Sequence, residues 1–358
     1  DQKARVISLF HATTKLGFST LQIIVLYLTK SFLWFTVIMI ACTIAENAAC
    51  AIYADKQYPY IKSKHSEKLS KEELKAVKLK MIPIALQSLA GYVVSSTDSI
   101  IISAVISVGL VGIYSNYTLI STTLKSLYGQ VFSAFTNSFG NLSVSGDKER
   151  AYYIYDKSVY AAFCMTCCMT SCFVSAVNPF IRLCFGADYV LSYSTVFLVA
   201  ASFYFTCMNT PAVSAQNALG LHDKDVGVVL VQGVLNLILS LVLVYIMGLN
   251  GVIIGTVAST VLCPFFSKDY VLHKYFFQKK PLKIYIWQLF YLLVTAILCG
   301  FGFYIGNKVF DVQSWGGLIG IGFLMLFVSA IVVILTTFRT EKFKYILSLV
   351  KKIVRPAK

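Results

Sequence analysis

The sequence predicts an all-α polytopic membrane protein with about ten transmembrane helices. The first observation is the mean hydropathy of +0.73, with 57% hydrophobic residues among 358. The second is that long apolar stretches recur along the chain, and about 20 apolar residues span hydrocarbon as a helix. The third is that lysine and arginine crowd into alternate gaps between the stretches, as in cytoplasmic loops.

The spans and gaps are consistent with each other when taken in chain order. The gap at 54–80 holds eight lysines, the gap at 268–283 holds five, and the tail from 339 holds seven lysines and arginines. The gaps at 107–109, 179–190 and 306–314 hold none, one and one. An even number of spans places both termini on one side, which is the basic side. The predicted spans are 6–29, 31–53, 81–106, 110–139, 155–178, 191–219, 226–247, 250–267, 284–305 and 315–337.

The net charge of +15 does not indicate nucleic-acid binding, because nearly all of it lies in the gaps and the tail. Membrane topology and anionic lipid on the cytoplasmic side explain this distribution. Residues 70–80 have the pattern of a short amphipathic basic helix. In the tail, 341–357, apolar residues share one helical face among lysines, which predicts an interfacial helix on anionic lipid.

Small and soft residues inside the spans indicate packing. Cys164, Cys167, Cys168 and Cys172 lie in an apolar stretch without histidine or acid, so we interpret them as packing residues and predict no metal site. The four-residue spacing of Gly251, Gly255 and Ser259 favours close helix packing.

Polar side chains at helical spacing inside the spans are the candidate functional residues. A charge in the hydrocarbon is costly, so these faces must meet neighbouring helices or a water-filled cavity. Glu46 and Asp98 are the candidates for binding a coupling ion. The candidates for cargo binding are Lys15, Gln22, Tyr117, Lys125, Tyr128, Asn209 and Asn217.

Two hypotheses for the intramembrane charges stay open. In one, Lys15 pairs with Glu46, and Asp98 pairs with Lys125, as structural ion pairs. In the other, these residues line a cavity for a charged, hydroxyl-rich cargo, because sugars stack on aromatic rings and phosphates seek cations. The sequence contains no Walker loop, dinucleotide fingerprint or H-E-x-x-H motif, so we predict neither an enzyme nor a cofactor.

Several short stretches, in order and at their spacing, resemble one transporter family. They are DQK at 1–3, DSIIIS at 98–103, VGIYSNY at 111–117, NALG at 217–220 and GLNGVIIGT at 248–256. With these stretches the chain resembles the polysaccharide-flippase (Wzx-like) branch of the multidrug/oligosaccharidyl-lipid/polysaccharide exporters, a resemblance that covers the whole chain.

The resemblance implies a fourteen-helix, two-lobed transporter of the bacterial plasma membrane that works by alternating access. This chain would start at the fifth helix, without the first four. Residues 1–53 would be the last two helices of the N-terminal lobe, and 54–80 the basic cytoplasmic linker between lobes. Residues 81–267 would be the six-helix C-terminal lobe, 268–337 the final helix pair with its preceding basic loop, and 338–358 the basic amphipathic cytoplasmic tail.

The resemblance also implies the cargo, an undecaprenyl-pyrophosphate-linked oligosaccharide moved from the cytoplasmic to the outer leaflet. Lys15 and Lys125, one from each lobe, would meet its anionic group, with Na⁺ or H⁺ as the coupling ion. One alternative is a drug/cation antiporter of the same superfamily that uses Asp98 and Glu46. Another is a membrane polysaccharide polymerase or ligase, which generally needs a long outer loop that this chain does not show.

The charge alternation makes a topology prediction: residues 54–80, 140–154 and 268–283 and both termini are cytoplasmic. In a background lacking the ten native cysteines, Ser66→Cys should resist a membrane-impermeant thiol reagent in intact cells and react after lysis. Asp188→Cys, in a gap on the opposite side, is the control that should react in intact cells. Labelling of Ser66→Cys before lysis would contradict the topology.

Overall fold

The computed structural model describes residues 4–58, 70–144, 146–306, 312 and 314–354. These residues form helices and no strand, and eight of the helices are long and apolar enough to cross a membrane. A helix satisfies its backbone hydrogen bonds internally, which is what a lipid environment requires. The prediction of an all-α polytopic membrane protein is confirmed.

A helix covers each of the ten predicted spans. The continuous helix Leu249–Phe277 contains α8, α9 and two π-helical segments, Val261–Phe265 and His273–Phe277. The helices are α1 Ala4–Thr29, α2 Phe32–Gln57, α3 Lys71–Val105, α4 Val108–Val144, α5 Lys148–Phe185, α6 Tyr193–Leu219, α7 His222–Met247, α8 Leu249–Thr260, α9 Phe266–Leu272, α10 Leu282–Tyr304, α11 Trp315–Thr337 and α12 Glu341–Val354.

Two of the ten helices, α1 and α4, are not among the eight that qualify as membrane spans by length and composition. In α1 the described apolar part is the shorter segment Thr14–Thr29. Helix α4 is 37 residues long, and hydroxyl, amide and lysine side chains interrupt its apolar sequence. Several of these polar side chains line a cavity, which explains their presence in this helix.

The structure corrects two predicted boundaries. The loop predicted at 268–283 is shorter, because the helix continues to Phe277 with Lys268 and Asp269 buried inside the bundle. Residues 71–80 are not a separate short helix but the first turns of α3. That helix begins at a capping box, in which Ser70 N–H donates to Glu73 over 2.8 Å and Glu73 N–H to Ser70 Oγ over 3.2 Å. Residues 59–69 of the predicted linker lie outside the described residues.

The chain divides into two compact units, Asp1–Glu73 and Leu74–Lys358, and the boundary falls within the predicted linker. In the first unit, α1 and α2 pack as a hairpin that turns at Lys30, whose φ of 49° is left-handed. In the second unit, α5 packs against α4, α6, α10, α11 and α12, while α7 packs on α8. Helix α5 is therefore the central element of the second unit.

Aromatic side chains fill the interface between α5 and α10. The rings of Phe163 and Tyr291 stack with their centroids 4.1 Å apart. Cys167 is fully buried in the same core, and Cys164 packs against it. The predicted packing role of these two cysteines is confirmed. On α12, Phe343 and Ile346 also pack against this core, so the predicted interfacial helix is docked on the bundle along one face.

The predicted close packing at Gly251 and Gly255 is confirmed. A Cβ atom at Gly255 would lie 2.5 Å from Ser240 Oγ and 2.7 Å from the Ser240 backbone nitrogen of α7. Ser240 is fully buried and donates a hydrogen bond to the carbonyl of Val252 over 3.2 Å. The absence of a side chain on α8 therefore allows the two backbones to meet.

The Gly255→Ala variant should be less stable by about 1–3 kcal/mol, because the added methyl group overlaps backbone atoms that cannot rotate away. Reversible unfolding of the purified protein in mixed micelles measures this difference. The matched control is Gly320→Ala on α11, where a Cβ atom meets nothing within 4 Å. Equal stability of the two variants would contradict the close contact between α7 and α8.

Candidate functional site

A polar cavity of about 680 Å³ lies within the second unit, between α3, α4, α6, α7 and the continuous helix that contains α8 and α9. Such a volume is typical of pockets for small ligands. Serine and threonine hydroxyls from α3, α4, α6 and α8 contribute much of its lining. Its charged and amide lining residues are Asp98, Lys125, Lys268, Gln87, Asn209 and Gln232.

The threonine hydroxyls other than that of Thr256 are tolerated inside apolar helices because each donates to a carbonyl about one turn earlier. On α6, Thr206 donates to the carbonyl of Ser202 over 2.7 Å, and on α8, Thr260 donates to that of Thr256 over 2.8 Å. With the proton occupied in this way, the lone pairs of each oxygen stay available as acceptors. The wall can therefore accept hydrogen bonds from water or from a hydroxylated ligand.

Asp98 is 8% exposed and is held by a hydroxyl. The Thr256 hydroxyl donates to the carboxylate, at 2.9 Å from Oδ1 and 3.0 Å from Oδ2, and it accepts from Asn236 Nδ2 over 2.9 Å. This chain of hydrogen bonds joins α7, α8 and α3. It leaves the charge of Asp98 without a cationic partner among the described residues.

Lys125 lies on α4, half-buried, in the same cavity. Within the part of the chain that the structure describes, no carboxylate lies within ion-pair distance of its ammonium. The Asp98–Lys125 ion pair of the first hypothesis is therefore not formed in this structure. The two groups line one cavity without pairing.

Lys268, the second lysine of the cavity, is neutralised. Its ammonium lies 2.5 Å from Asp225 Oδ2 and donates to Gln216 Oε1 over 3.2 Å, while Ser267 donates to Asp225 over 3.0 Å. Nearby on α6, Asn209 Oδ1 is buried with no hydrogen-bond partner among the described residues. Among the described residues, the cavity wall thus includes one lysine without a counter-ion and one asparagine whose buried amide oxygen has no donor.

The structure brings Asp98, Lys125 and Asn209 together, as the polar stripes predicted, but it places the two predicted tyrosines elsewhere. Tyr117 is fully buried, donating to Asn178 Oδ1 over 2.6 Å and accepting from the Leu191 N–H over 2.9 Å. Tyr128 is also buried and donates to the carbonyl of Cys207 over 2.9 Å. Both hydroxyls hold helices together and do not line the cavity.

Asn217 is exposed at the end of α6, where its carbonyl accepts a hydrogen bond from the Gly220 N–H over 3.4 Å. The other candidates belong to the first unit. There Glu46 accepts a hydrogen bond from the Thr14 hydroxyl over 3.0 Å, and Gln22 is half-buried. Lys15 is exposed, and the described residues show no ion pair between it and Glu46.

Thr256 and Lys268 are site residues that the sequence analysis missed. Thr256 belongs to a four-residue spacing with Thr260, a pattern that Ser202, Thr206 and Thr210 repeat on α6. That spacing is a signal for a polar helix face. The sequence did not indicate Lys268 as a site residue, because it is the first of five lysines within 268–283, a density that is typical of a loop.

The fold and the cavity define a multi-pass helical membrane protein with a charged, hydroxyl-rich chamber inside its second unit. Comparison of the chain with protein-family models, with curated proteins and with solved structures finds no match. The chemistry of the chamber is therefore the basis for assigning a function.

A double-mutant cycle on Asp98→Asn and Lys125→Gln should show nearly additive effects on the free energy of unfolding, with coupling below about 0.5 kcal/mol, because the two charges do not pair. The matched control is Asp225→Asn with Lys268→Met, a buried pair in contact, which should couple by about 1 kcal/mol or more. Strong coupling between Asp98 and Lys125 would instead support the structural ion pair.

Proposed function

We propose that this protein is a flippase for an anionic, lipid-linked oligosaccharide in the bacterial plasma membrane. The cargo class is an undecaprenyl-pyrophosphate-linked repeat unit, moved from the cytoplasmic to the outer leaflet by alternating access. The observation that carries the proposal is Lys125, which has no counter-ion among the described residues and lies in a chamber with many hydroxyl and amide groups in its lining.

An uncompensated charge inside a helix bundle is costly, so it is retained where a ligand supplies the opposite charge. A pyrophosphate has several anionic oxygens, and hydrogen bonds from an ammonium to phosphate are among the stronger ones. The cavity of about 680 Å³ is within the size range of small-molecule sites, while a lipid tail needs no room inside it. Serine, threonine and asparagine groups around Lys125 suit the hydroxyls of a sugar.

The wall of the cavity contains a π-helical segment at which the helix Leu249–Phe277 could bend. Pro264 lines the cavity within the π-helical segment Val261–Phe265. A proline removes one helical hydrogen bond, and π-helical segments are frequent at functional sites. We propose that this segment lets the two ends of the helix Leu249–Phe277 shift relative to each other during transport.

Asp98 favours a second candidate function, a drug/cation antiporter. A buried carboxylate beside a threonine hydroxyl can bind a proton or a cation, and it lies in the same cavity. The antiporter would depend on Asp98 and would tolerate loss of Lys125. The flippase would depend on Lys125 for the cargo and would use Asp98 at most for coupling to an ion gradient.

The Lys125→Ala variant, made in the protein as its host produces it, should reduce export of surface polysaccharide at least about tenfold, because it removes a charge-assisted hydrogen bond to the cargo. Lys125→Arg should be milder, since the charge is kept. Lys15→Ala should also reduce export if the first unit contributes a cation. Immunoblotting of surface polysaccharide, normalised to the amount of membrane protein, measures the effect.

The matched control is Lys224→Ala on α7, because Lys224 is outside the cavity and pairs with Asp223 at 2.8 Å near the helix start. Its export should equal that of the wild type. Normal export from the Lys15→Ala, Lys125→Ala double variant would refute the flippase assignment. Loss of cation-driven drug efflux in Asp98→Asn, with efflux intact in Lys125→Ala, would favour the antiporter.

A further inference from the structure

A second pocket, of about 540 Å³, lies where the first turns of α5 meet the starts of α10 and α12. It shares no lining residue with the cavity around Lys125. Four lysines and three carboxylates line it, together with the rings of Tyr152, Tyr153 and Trp287. The basic gaps of the sequence, predicted to be cytoplasmic, lie at this end of these helices.

Two of the four lysines are neutralised by carboxylates. Lys342 of α12 lies 2.7 Å from Asp156 of α5, with both side chains buried. Lys279, in the connection before α10, lies 2.7 Å from Glu149 of α5. These ion pairs join the three segments that form the pocket.

Among the four lysines of this pocket, Lys157 is unusual because it is buried without an ion-pair partner among the described residues. It is only 4% exposed, and among the described residues no carboxylate lies within ion-pair distance of its ammonium. Its described contact is with the ring of Tyr153, whose centroid is 4.6 Å from Nζ. A buried ammonium whose described contact is a π-system and not a carboxylate is under-compensated, which favours an anion beside it.

The other two lysines of the pocket act on the buried ion pair. Burial lowers the pKa of Lys342, Asp156 opposes that effect, and Lys157 and Lys283 lower the pKa further. The two ion pairs leave Lys157 and Lys283 against the single carboxylate of Glu341. The pocket therefore has one positive charge in excess.

Aromatic rings hold the ammonium groups in place. Lys279 Nζ lies 4.4 Å from the ring centroid of Tyr152, and Lys342 Nζ lies 4.6 Å from that of Trp287. Tryptophan beside lysine is typical of the headgroup level of a membrane. Beside the pocket, α10 presents Leu282, Ile286 and Leu289, which are 64%, 61% and 59% exposed and offer a surface for acyl chains.

We propose that this pocket binds the phosphate of an anionic membrane phospholipid, with Lys157 as the residue that contacts the phosphate oxygens. The exposed apolar side chains of α10 favour a lipid over free phosphate, because they give the acyl chains a place beside the headgroup. The bound lipid would connect α5, α10 and α12. This site is independent of the cargo cavity, and its test measures binding without transport.

The test is lipid titration of the purified protein in detergent, read by native mass spectrometry. The probes are phosphatidylglycerol, phosphatidylcholine and inorganic phosphate. The wild type should bind phosphatidylglycerol at least about tenfold more tightly than phosphatidylcholine, and equimolar inorganic phosphate should not displace it. In Lys157→Met, which keeps an unbranched side chain without the ammonium, this preference should fall about tenfold.

The matched control is Lys148→Met, an exposed lysine at the first residue of α5 and outside the pocket, which should bind as the wild type does. Equal preference for phosphatidylglycerol in Lys157→Met and in the wild type would overturn the proposal. Displacement by equimolar inorganic phosphate would assign the pocket to free phosphate and overturn the lipid assignment.

A second measurement needs no variant, in case Lys157→Met does not fold. A phosphatidylglycerol analogue with a photoreactive headgroup is cross-linked to the wild-type protein, and the adducts are mapped by peptide sequencing. Adducts should lie within 149–157, 279–287 and 340–342, the segments that form the pocket. Adducts confined to other segments would refute the site.

Discussion

A charge that leaves water inside an apolar helix bundle must find a partner, and this constraint organises the second unit. Asp225 of α7 pairs with Lys268 of α9, and Asp156 of α5 pairs with Lys342 of α12. Asp269 accepts hydrogen bonds from Tyr155 of α5 and Gln288 of α10. Apolar contacts alone tolerate a slide of one helix along another, whereas each of these contacts forms at one register only.

By the same constraint, a lysine that has no carboxylate partner among the described residues indicates a site for an anionic ligand. Within the described residues, neither the half-buried Lys125 nor the buried Lys157 has an ion-pair partner, and each lines a pocket of its own. The surroundings differ. Lys125 is among hydroxyls and amides, which suit a sugar-linked anion. Lys157 is among aromatic rings at one end of the helices, which suits a phospholipid headgroup.

The continuous helix Leu249–Phe277 links the packing of the second unit to its chemistry. Near its start, Gly255 allows contact with the backbone of α7 at Ser240. Thr256, the next residue, donates to Asp98, and Lys268 reaches Asp225 beyond the π-helical segment at Pro264. One element thus fixes both the carboxylate and the neutralised lysine of the cavity, and bending at the π-helical segment between Thr256 and Lys268 would move the two relative to each other.

The sequence by itself determined the class of protein and the position of its helices, because transfer of a side chain into hydrocarbon depends mainly on that side chain. It also identified Asp98, Lys125 and Asn209 as residues that share a polar environment, because an intramembrane polar face must avoid lipid. The close approach at Gly255 followed from the spacing of small residues in the same way.

Only the tertiary structure decided which partner each polar group meets. Helical periodicity places Tyr117 and Tyr128 on the same kind of face as Lys125, yet their hydroxyls bond to Asn178 and to the carbonyl of Cys207. Lys268 has the sequence context of a loop, but Asp225, 43 residues away, neutralises it inside the bundle. Such pairings depend on the relative rotation and register of separate helices, and a π-helical segment changes both, so the pattern along one helix cannot specify them.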